Sequence, residues 1–363
     1  MKKLAVVFGT RPEAIKMCPL VHALKAAGGY DVRVCLTGQH CEMMGGVLEI
    51  FGVQADCDLS AMRKGQALPH LFSRILSGVF DYLRRERPCA VFVHGDTLSA
   101  YAASLAAFYL SIPVLHVEAG LRTGDLTSPF PEELHRRAIA VISYADFAPS
   151  TAACEHLRRE GKQERVFCVG NTVVDAFPYT LKKDFSHPLL SLAENRRLIL
   201  MTAHRRENIG TPMRECFRAI RDTVTAREDV FLLYPVHLNP EARKIAYEEL
   251  SGIDRVRLCE PLDVLTFHNL LSRAYLALTD SGGIQEEAPA LSVPALVLRC
   301  KSEREEELSS GAVRLIGNGY ESVRQGLCRL LDDPAAYARM RETSKTSAPS
   351  PSELIASITG QIL

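Results

Sequence analysis

Short, nearly unbroken apolar runs recur along the chain, and between them apolar residues return every three or four positions. The runs are LAVVF (4–8), VRVCL (32–36), AVFVH (90–94), VLHVE (114–118), VFCVG (166–170), LILMT (198–202), VFLLYP (230–235), YLALTD (275–280) and PALVL (294–298). Their length and branched apolar content predict strands, whereas the longer spacing predicts helices over 13–27, 66–86, 97–110, 212–227, 240–250 and 320–331. A strand that is apolar on both faces needs cover on both. The alternation therefore predicts parallel sheets with helices on each side, an α/β, doubly wound architecture.

The rhythm breaks between Leu181 and Asn195, where KKDFSHP and a polar run precede a fresh strand at Leu198. This predicts two similar units, residues 1–180 and 190–345, joined by a hinge. The stretch RETSKTSAPSP (341–351) reads as an exposed linker into an amphipathic helix from Glu353 to Leu363. The tail 346–363 is expected to pack back on the first unit.

Composition narrows the functional classes. At ~150 residues per domain, 363 residues suffice for two cores. Apolar residues at 47% and charged residues at 24% are ordinary for a globular chain. Lys+Arg 43 balances Asp+Glu 43, which argues against a general nucleic-acid binder or a binder of anionic membranes. The apolar run after Met1-Lys2-Lys3 stops at Gly9, too short for a secretion signal, and the reading is a soluble cytoplasmic protein. Eleven cysteines include no CxxC, and the tightest pair, Cys35 and Cys41, is C-x5-C, so no structural metal is expected.

Ligands of open parallel sheets bind beyond the carboxyl ends of the strands. Gly9-Thr10-Arg11-Pro12-Glu13 follows the first strand, with Arg11 and Lys16 placed on the loop and the opening helical turn. His94-Gly95-Asp96-Thr97 and Glu118-Ala119-Gly120 follow two others, and Glu132 comes after a proline-rich loop. Taken singly, Asp96, Glu118 and Glu132 read as solvated cap or loop acids. Three carboxylates on one rim shift one another's proton affinity and can divide acid and base duties. In the second half, Ser281-Gly282-Gly283 opens a helix, which is either a plain N-cap turn or an anion site. His204 and His237 both stand just past strand ends. GxGxxG and GxxxxGK[ST] are absent, which argues against a nicotinamide fold and a P-loop and points to a nucleotide-sugar.

Together these segments resemble the non-hydrolysing UDP-N-acetylglucosamine 2-epimerase family. The matching stretches are GTRPEAIKM (9–17), TGQH (37–40), HGDT (94–97), HVEAGLRT (116–123), FPEE with Arg136 and Arg137, GNTVVDA (170–176), TAHRREN (202–208), PVHLNP (235–240) and TDSGGIQEEAP (279–289). The resemblance implies two Rossmann-like units of the glycosyltransferase-B type around a central cleft, a homodimer, and reversible conversion of UDP-GlcNAc to UDP-ManNAc without a cofactor, feeding surface polysaccharide synthesis. It assigns Asp96, Glu118 and Glu132 as the acid–base residues and His204 as support for the departing diphosphate. Arg11, Lys16, Phe267, Ser281, Gly282, Gly283, Glu287 and Arg304 correspond to substrate-binding positions, with Glu287 on the ribose hydroxyls. Gln39, Gln66, Arg205 and His237 match the lining of a second, activating UDP-GlcNAc site.

The sequence departs from the family pattern at several positions. Cys41 stands for an Arg, Gly65 for an Arg before Gln66, His135 for an Asn and Glu305 for a Pro, and Ser347–Pro351 replaces a glycine-containing segment. These departures leave the three acids and His204 in place and bear on the sugar accepted. A hydrolysing epimerase, an epimerase of a modified UDP-HexNAc, a glycosyltransferase of the same fold and a non-enzymatic nucleotide-sugar sensor are the rival readings. Incubation with UDP-GlcNAc alone separates the enzymes, and crowded acids argue against the sensor.

Overall fold

Leu4 to Phe8 is buried at every residue, as a strand with helices on both sides must be. The computed structural model describes residues 1–39, 44–63, 65–193, 195–205, 208–300, 308, 310–342 and 349–363. Contacts divide the chain into two compact units, Met1–Tyr179 with Ala348–Leu363, and Thr180–Ser347.

The first unit is a seven-stranded sheet. Its strands are β1 (Lys2–Phe8), β2 (Tyr30–Leu36), β3 (Cys57–Asp58), β4 (Ala90–His94), β5 (Val114–Val117), β6 (Ala145–Ala148) and β7 (Val166–Cys168), in the order β3-β2-β1-β4-β5-β6-β7. Every pairing is parallel. The second unit repeats the plan with β8 (Arg197–Thr202), β9 (Val230–Pro235), β10 (Val256–Cys259), β11 (Leu276–Thr279), β12 (Ala295–Val297) and β13 (Val313–Leu315), in the order β10-β9-β8-β11-β12-β13. Strand order reverses between β1 and β4 in one sheet and between β8 and β11 in the other. Those reversals are where a doubly wound sheet opens a crevice for a ligand.

Side-chain alternation fixes the layers. In β8, Leu198 and Leu200 join the core beneath the helices Val264–Leu271 and Gly282–Ala290. Ile199 and Met201 join the opposite core, under the helices Thr211–Thr225 and Tyr320–Asp332. The helix Pro351–Ile362 packs on the helix Arg11–Ala27 within the first unit. There Tyr30 Oη donates to Thr359 O at 3.4 Å, and Ser352 N donates to Asp175 Oδ2 at 2.7 Å.

Several elements go beyond the sequence expectation. Strands β3, β10 and β13 lie at sheet edges, where exposed positions such as Arg257 and Arg314 break up the apolar run. Strand β6 carries a buried charge, Asp146, inside ADFA. The helices Met44–Phe51, Glu132–Ile142, Thr151–Arg159, Val264–Leu271 and Pro334–Glu342 likewise add to the predicted set. The last of these carries Arg341 and Glu342, so they are helical rather than linker, and the tail helix starts at Pro351 rather than Glu353.

The polar stretch after Leu181 belongs to the second unit. Phe185, Leu189 and Leu190 pack on its core. Asn269 Nδ2 donates to Thr180 O at 2.7 Å, and Lys182 N donates to Asn269 Oδ1 at 2.9 Å.

Candidate functional site

At the first reversal, β1 runs into Gly9 and the helix Arg11–Ala27. A side chain at residue 9 would put its Cβ 1.9 Å from Thr37 Oγ1 and 2.3 Å from Ser99 Oγ, so only glycine permits this approach. Glu13, 1% exposed, ties the reversal together. Its carboxylate accepts from Gly9 N (3.0 Å), Thr10 N (2.8 Å) and Thr97 Oγ1 (2.7 Å), joining the turn after β1 to the turn after β4. Burial outweighs these donors and pushes its pKa up to about 7.

The acids follow. Glu118 sits in the left-handed region at φ +58, one residue past β5. Such a conformation costs on the order of 1 kcal/mol for a non-glycine residue and recurs where a side chain must be aimed. Lys16 Nζ pairs with Glu118 Oε2, and His94 Nε2 stands 3.7 Å from the same oxygen. Lys16 is 5% exposed and lies in the second helical turn, deeper than its expected place in the opening turn. Burial drives the His94 pKa down to about 4 despite Glu118, leaving a neutral ring. Asp96 Oδ2 meets Arg136 Nη2 at 2.6 Å, and its carbonyl accepts from His135 Nδ1 at 2.8 Å. His135 stacks on Tyr101, and burial lowers its pKa, so this ring too is neutral. Glu132 opens the helix Glu132–Ile142, half-buried, where free backbone amides favour a carboxylate. Its neighbour Glu133, wholly buried, accepts from Thr123 N at 3.1 Å and pairs with Arg136 at 3.3 Å.

Asp96, Glu118 and Glu132 thus share the carboxyl-end rim of one sheet, two of them bound to a buried cation. Gln39 lies on the same rim, its oxygen accepting from Ser99 Oγ at 2.7 Å. Gln66 sits on the adjoining loop, donating to Met62 Sδ at 3.3 Å.

At the second reversal, the anchor is Asp280, fully buried past the end of β11. Its carboxylate accepts from His204 N (3.0 and 2.9 Å), Arg205 N (2.8 Å) and Asn208 Nδ2 (3.3 Å), which pins the loop after β8. His204 Nδ1 lies 3.3 Å from Asp280 Oδ1, and its ring stacks on His237 at 5.2 Å. Burial lowers the His204 pKa, with Asp280 acting against it, so the ring is largely neutral at pH 7. Residues assigned by resemblance to two separate roles, His204 on one side and Arg205 and His237 on the other, occupy one cluster.

Next to that cluster, the helix Gly282–Ala290 begins without a side-chain cap. Ser281 does not cap it, and Ser281 N is taken by Thr279 Oγ1 at 2.9 Å. Its first-turn amides therefore have no cap from the Ser281 side chain, unlike those of a plain capped turn, and such a terminus suits an anion. A Cβ at Gly283 would come within 3.4 Å of Glu287 Oε1. Glu287 is aligned by His268 Nε2 at 3.5 Å, and His268 Nδ1 in turn meets Thr180 Oγ1 at 2.8 Å. Phe267, half-buried beside His268, packs on the core under this helix. Arg11 occupies the first position of the first unit's opening helix. Arg304 lies outside the described residues, as do Cys41, Glu305 and the first two residues of the replaced segment, Ser347 and Ala348.

Sequence reasoning missed Glu13, His94, Arg136 and Asp280 as site residues. All four stand inside the quoted motifs. For His94 and Asp280 the signal was a charged or imidazole group at the end of a buried apolar run, which reads as a solvated end until the fold closes over it, whereas Glu13 and Arg136 lie within helices and carry no such mark.

Among the described residues, no group of three or more His, Cys, Asp or Glu is placed to hold a metal ion, and no helix is long and apolar enough to cross a membrane.

Residues 22–357 match the family described as UDP-N-acetylglucosamine 2-epimerase. The chain is similar to the UDP-N-acetylglucosamine 2-epimerase of Bacillus subtilis (strain 168), 47% identical over 347 residues that cover 95% of this chain and 91% of that protein. It is also similar to a solved UDP-GlcNAc 2-epimerase from Neisseria meningitidis bound to UDP-GlcNAc, with a TM-score of 0.91, 39% identity, and coverage of 99% of this chain and 98% of that one. At 13% identity and a TM-score of 0.65, covering 99% and 98% of the two chains, the kitacinnamycin glycosyltransferase shares the fold alone.

Proposed function

This chain belongs to the UDP-N-acetylglucosamine 2-epimerase family, and we propose that it interconverts UDP-GlcNAc and UDP-ManNAc by eliminating and re-adding UDP, without hydrolysis. The C2 proton of the sugar is not adjacent to a carbonyl, so direct abstraction lacks a stabilised anion. Elimination removes the difficulty. A base takes the C2 proton while the C1–O bond to the diphosphate breaks, giving UDP and 2-acetamidoglucal. Reprotonation at C2 from the other face and return of UDP to C1 complete the inversion. The route needs proton-transfer groups at the sugar and donors at the leaving diphosphate.

The single observation that carries this reading is the rim of the first unit, where Glu118 and Asp96 are ionisable, aimed and each set against a buried cation. Glu132 supplies a third carboxylate. Lys16 and Arg136 stand as the buried cationic partners of these two carboxylates. In the second unit, the uncapped amides from Gly282 and Gly283, with Ser281, suit a phosphate, and Glu287, held by His268, suits a ribose diol. Arg11, Phe267 and Arg304 complete the proposed binding set. His204 is neutral while the site is empty, and a dianion brought against it favours the charged ring, so support for the leaving group develops as the bond breaks.

A cytoplasmic homodimer is part of the proposal. Exposed Leu134 and Val141 lie two turns apart on the helix Glu132–Ile142, and exposed Phe108 and Tyr109 end the helix Leu98–Tyr109 that packs on it. As an activated sugar, the product suits transfer onto a growing surface polysaccharide.

The test is incubation with UDP-GlcNAc alone, followed by chromatography of nucleotide and sugar. The expected product is UDP-ManNAc in equilibrium with substrate. Stoichiometric UDP with free ManNAc assigns the chain to hydrolysis instead, and no reaction points to a modified sugar.

A further inference from the structure

His116 and Asp146 form a buried polar pair that the proposed chemistry does not use. They are register partners on β5 and β6, so their side chains stand side by side on one face of the sheet, and both are wholly buried. His116 Nε2 donates to Gly95 O at 2.7 Å. His116 Nδ1 faces Asp146 Oδ1 at 3.6 Å. Behind them, Ser143 Oγ donates to Asp146 Oδ1 at 2.8 Å, and Lys162 Nζ lies 3.3 Å from Asp146 Oδ2. Burial raises the Asp146 pKa, but His116, Lys162 and Ser143 outweigh it and hold the carboxyl below its ordinary value.

Burying these groups among apolar neighbours costs free energy that packing alone does not return, because apolar residues of similar volume pack as well or better. The contact they make is specific. The Gly95 carbonyl and the Asp96 amide belong to one rigid peptide plane, so a hydrogen bond to that oxygen fixes the plane from which Asp96 departs. Gly95 is at φ +61, its N–H donates to Val117 O at 2.8 Å, and a Cβ there would stand 3.3 Å from Glu118 Oε1. Asp96 is held again on its far side by His135 and at its carboxylate by Arg136.

We infer that His116, oriented by Asp146, is a positioning residue that sets the Gly95–Asp96 peptide and thereby aims the Asp96 carboxylate at the sugar. The inference rests on the proposed role of Asp96 in proton transfer. A carboxylate displaced by about 1 Å loses on the order of 10²-fold in rate while ground-state binding is little changed.

The experiment compares the steady-state epimerisation of UDP-GlcNAc by the full chain carrying His116→Asn, His116→Gln, Asp146→Asn or Asp96→Asn. Asparagine reaches only the Nδ1 position, whereas glutamine reaches the Nε2 position and can still donate to Gly95 O. His116→Asn is expected to lower kcat roughly 10²-fold with KM within about twofold, and His116→Gln to recover to within about fivefold of wild type. Asp146→Asn is expected to fall between them. Thermal melting and calorimetric UDP binding check the fold. If the asparagine variant does not fold, the glutamine variant carries the test, and a kcat loss of about 10²-fold in it overturns the inference. So do equal losses in the two His116 variants, wild-type kcat in the asparagine variant, or an effect confined to KM. Wild-type turnover by Asp96→Asn instead removes Asp96 from the mechanism, and the positioning role falls with it.

Discussion

At the point where strand order reverses, the first unit gathers Glu13, Asp96 and Glu118 with Lys16 and Arg136, while the second gathers His204, His237 and uncapped amides around Asp280. Six strands run in the same order in both, with β7 added to the first, so topology supplies the location and not the chemistry. The difference lies in what Asp280 meets and what Glu118 and Asp96 meet, since Glu13 also accepts from backbone amides. Asp280 is spent on backbone amides of the loop after β8 and has a structural job. Glu118 and Asp96 are set against side-chain cations instead, Lys16 and Arg136. On the proposed function, one reversal moves protons and the other holds an anion.

The strongest way to break this comparison is to neutralise the acids. Asp96→Asn, Glu118→Gln and Glu132→Gln should each lower kcat by roughly 10²–10⁴-fold, with little change in UDP affinity. Near-wild-type turnover in any one removes that residue from the proton chemistry.

Glu13 sharpens the contrast through stability. Its folded pKa of about 7 lies above its ordinary 4.5, so the native state binds a proton more tightly than the unfolded chain does. Stability from this group is fully present below about pH 4.5 and is lost as pH rises to 7, a total of about 3 kcal/mol. Glu13→Gln keeps the shape without the titration. Denaturant melts at pH 5 and pH 8 should show the variant gaining on wild type as pH rises, and a pH-independent difference contradicts the burial argument.

A smaller effect is expected in the second unit. His204→Ala should slow turnover about tenfold and release measurable 2-acetamidoglucal, since one donor at the leaving group is lost while the amides remain. If the variant forms no glucal and keeps wild-type kcat, His204 plays no part in holding the diphosphate. Smallest of all, Ser281→Ala should change the UDP dissociation constant less than about threefold, because a helix N-terminus binds anions through its backbone. A tenfold loss by calorimetry would show that the hydroxyl itself binds.

Much of this contrast is legible in the chain. Continuous apolar runs mark the central strands, and the polar residues just after them mark both rims, because a strand buried on two faces leaves only its end for chemistry. Edge strands such as Cys57–Asp58 and Val256–Cys259 escape the pattern, since half their surface meets solvent or a loop. Strand β6 escapes it because Asp146 interrupts its apolar run, and only the fold shows that His116 and Lys162 receive that charge. Glu13 reads as a helix-capping acid, which it also is. Its third partner, Thr97, lies 84 residues away and cannot be found from local spacing.

The central claim, that the carboxylates of the first rim move the C2 proton while the diphosphate departs, is tested most directly by proton NMR of UDP-GlcNAc incubated with the protein in deuterated water. The account predicts UDP-ManNAc carrying deuterium at C2, with slow appearance of the label at C2 of the recovered UDP-GlcNAc. UDP-ManNAc that retains its original C2 proton would contradict it.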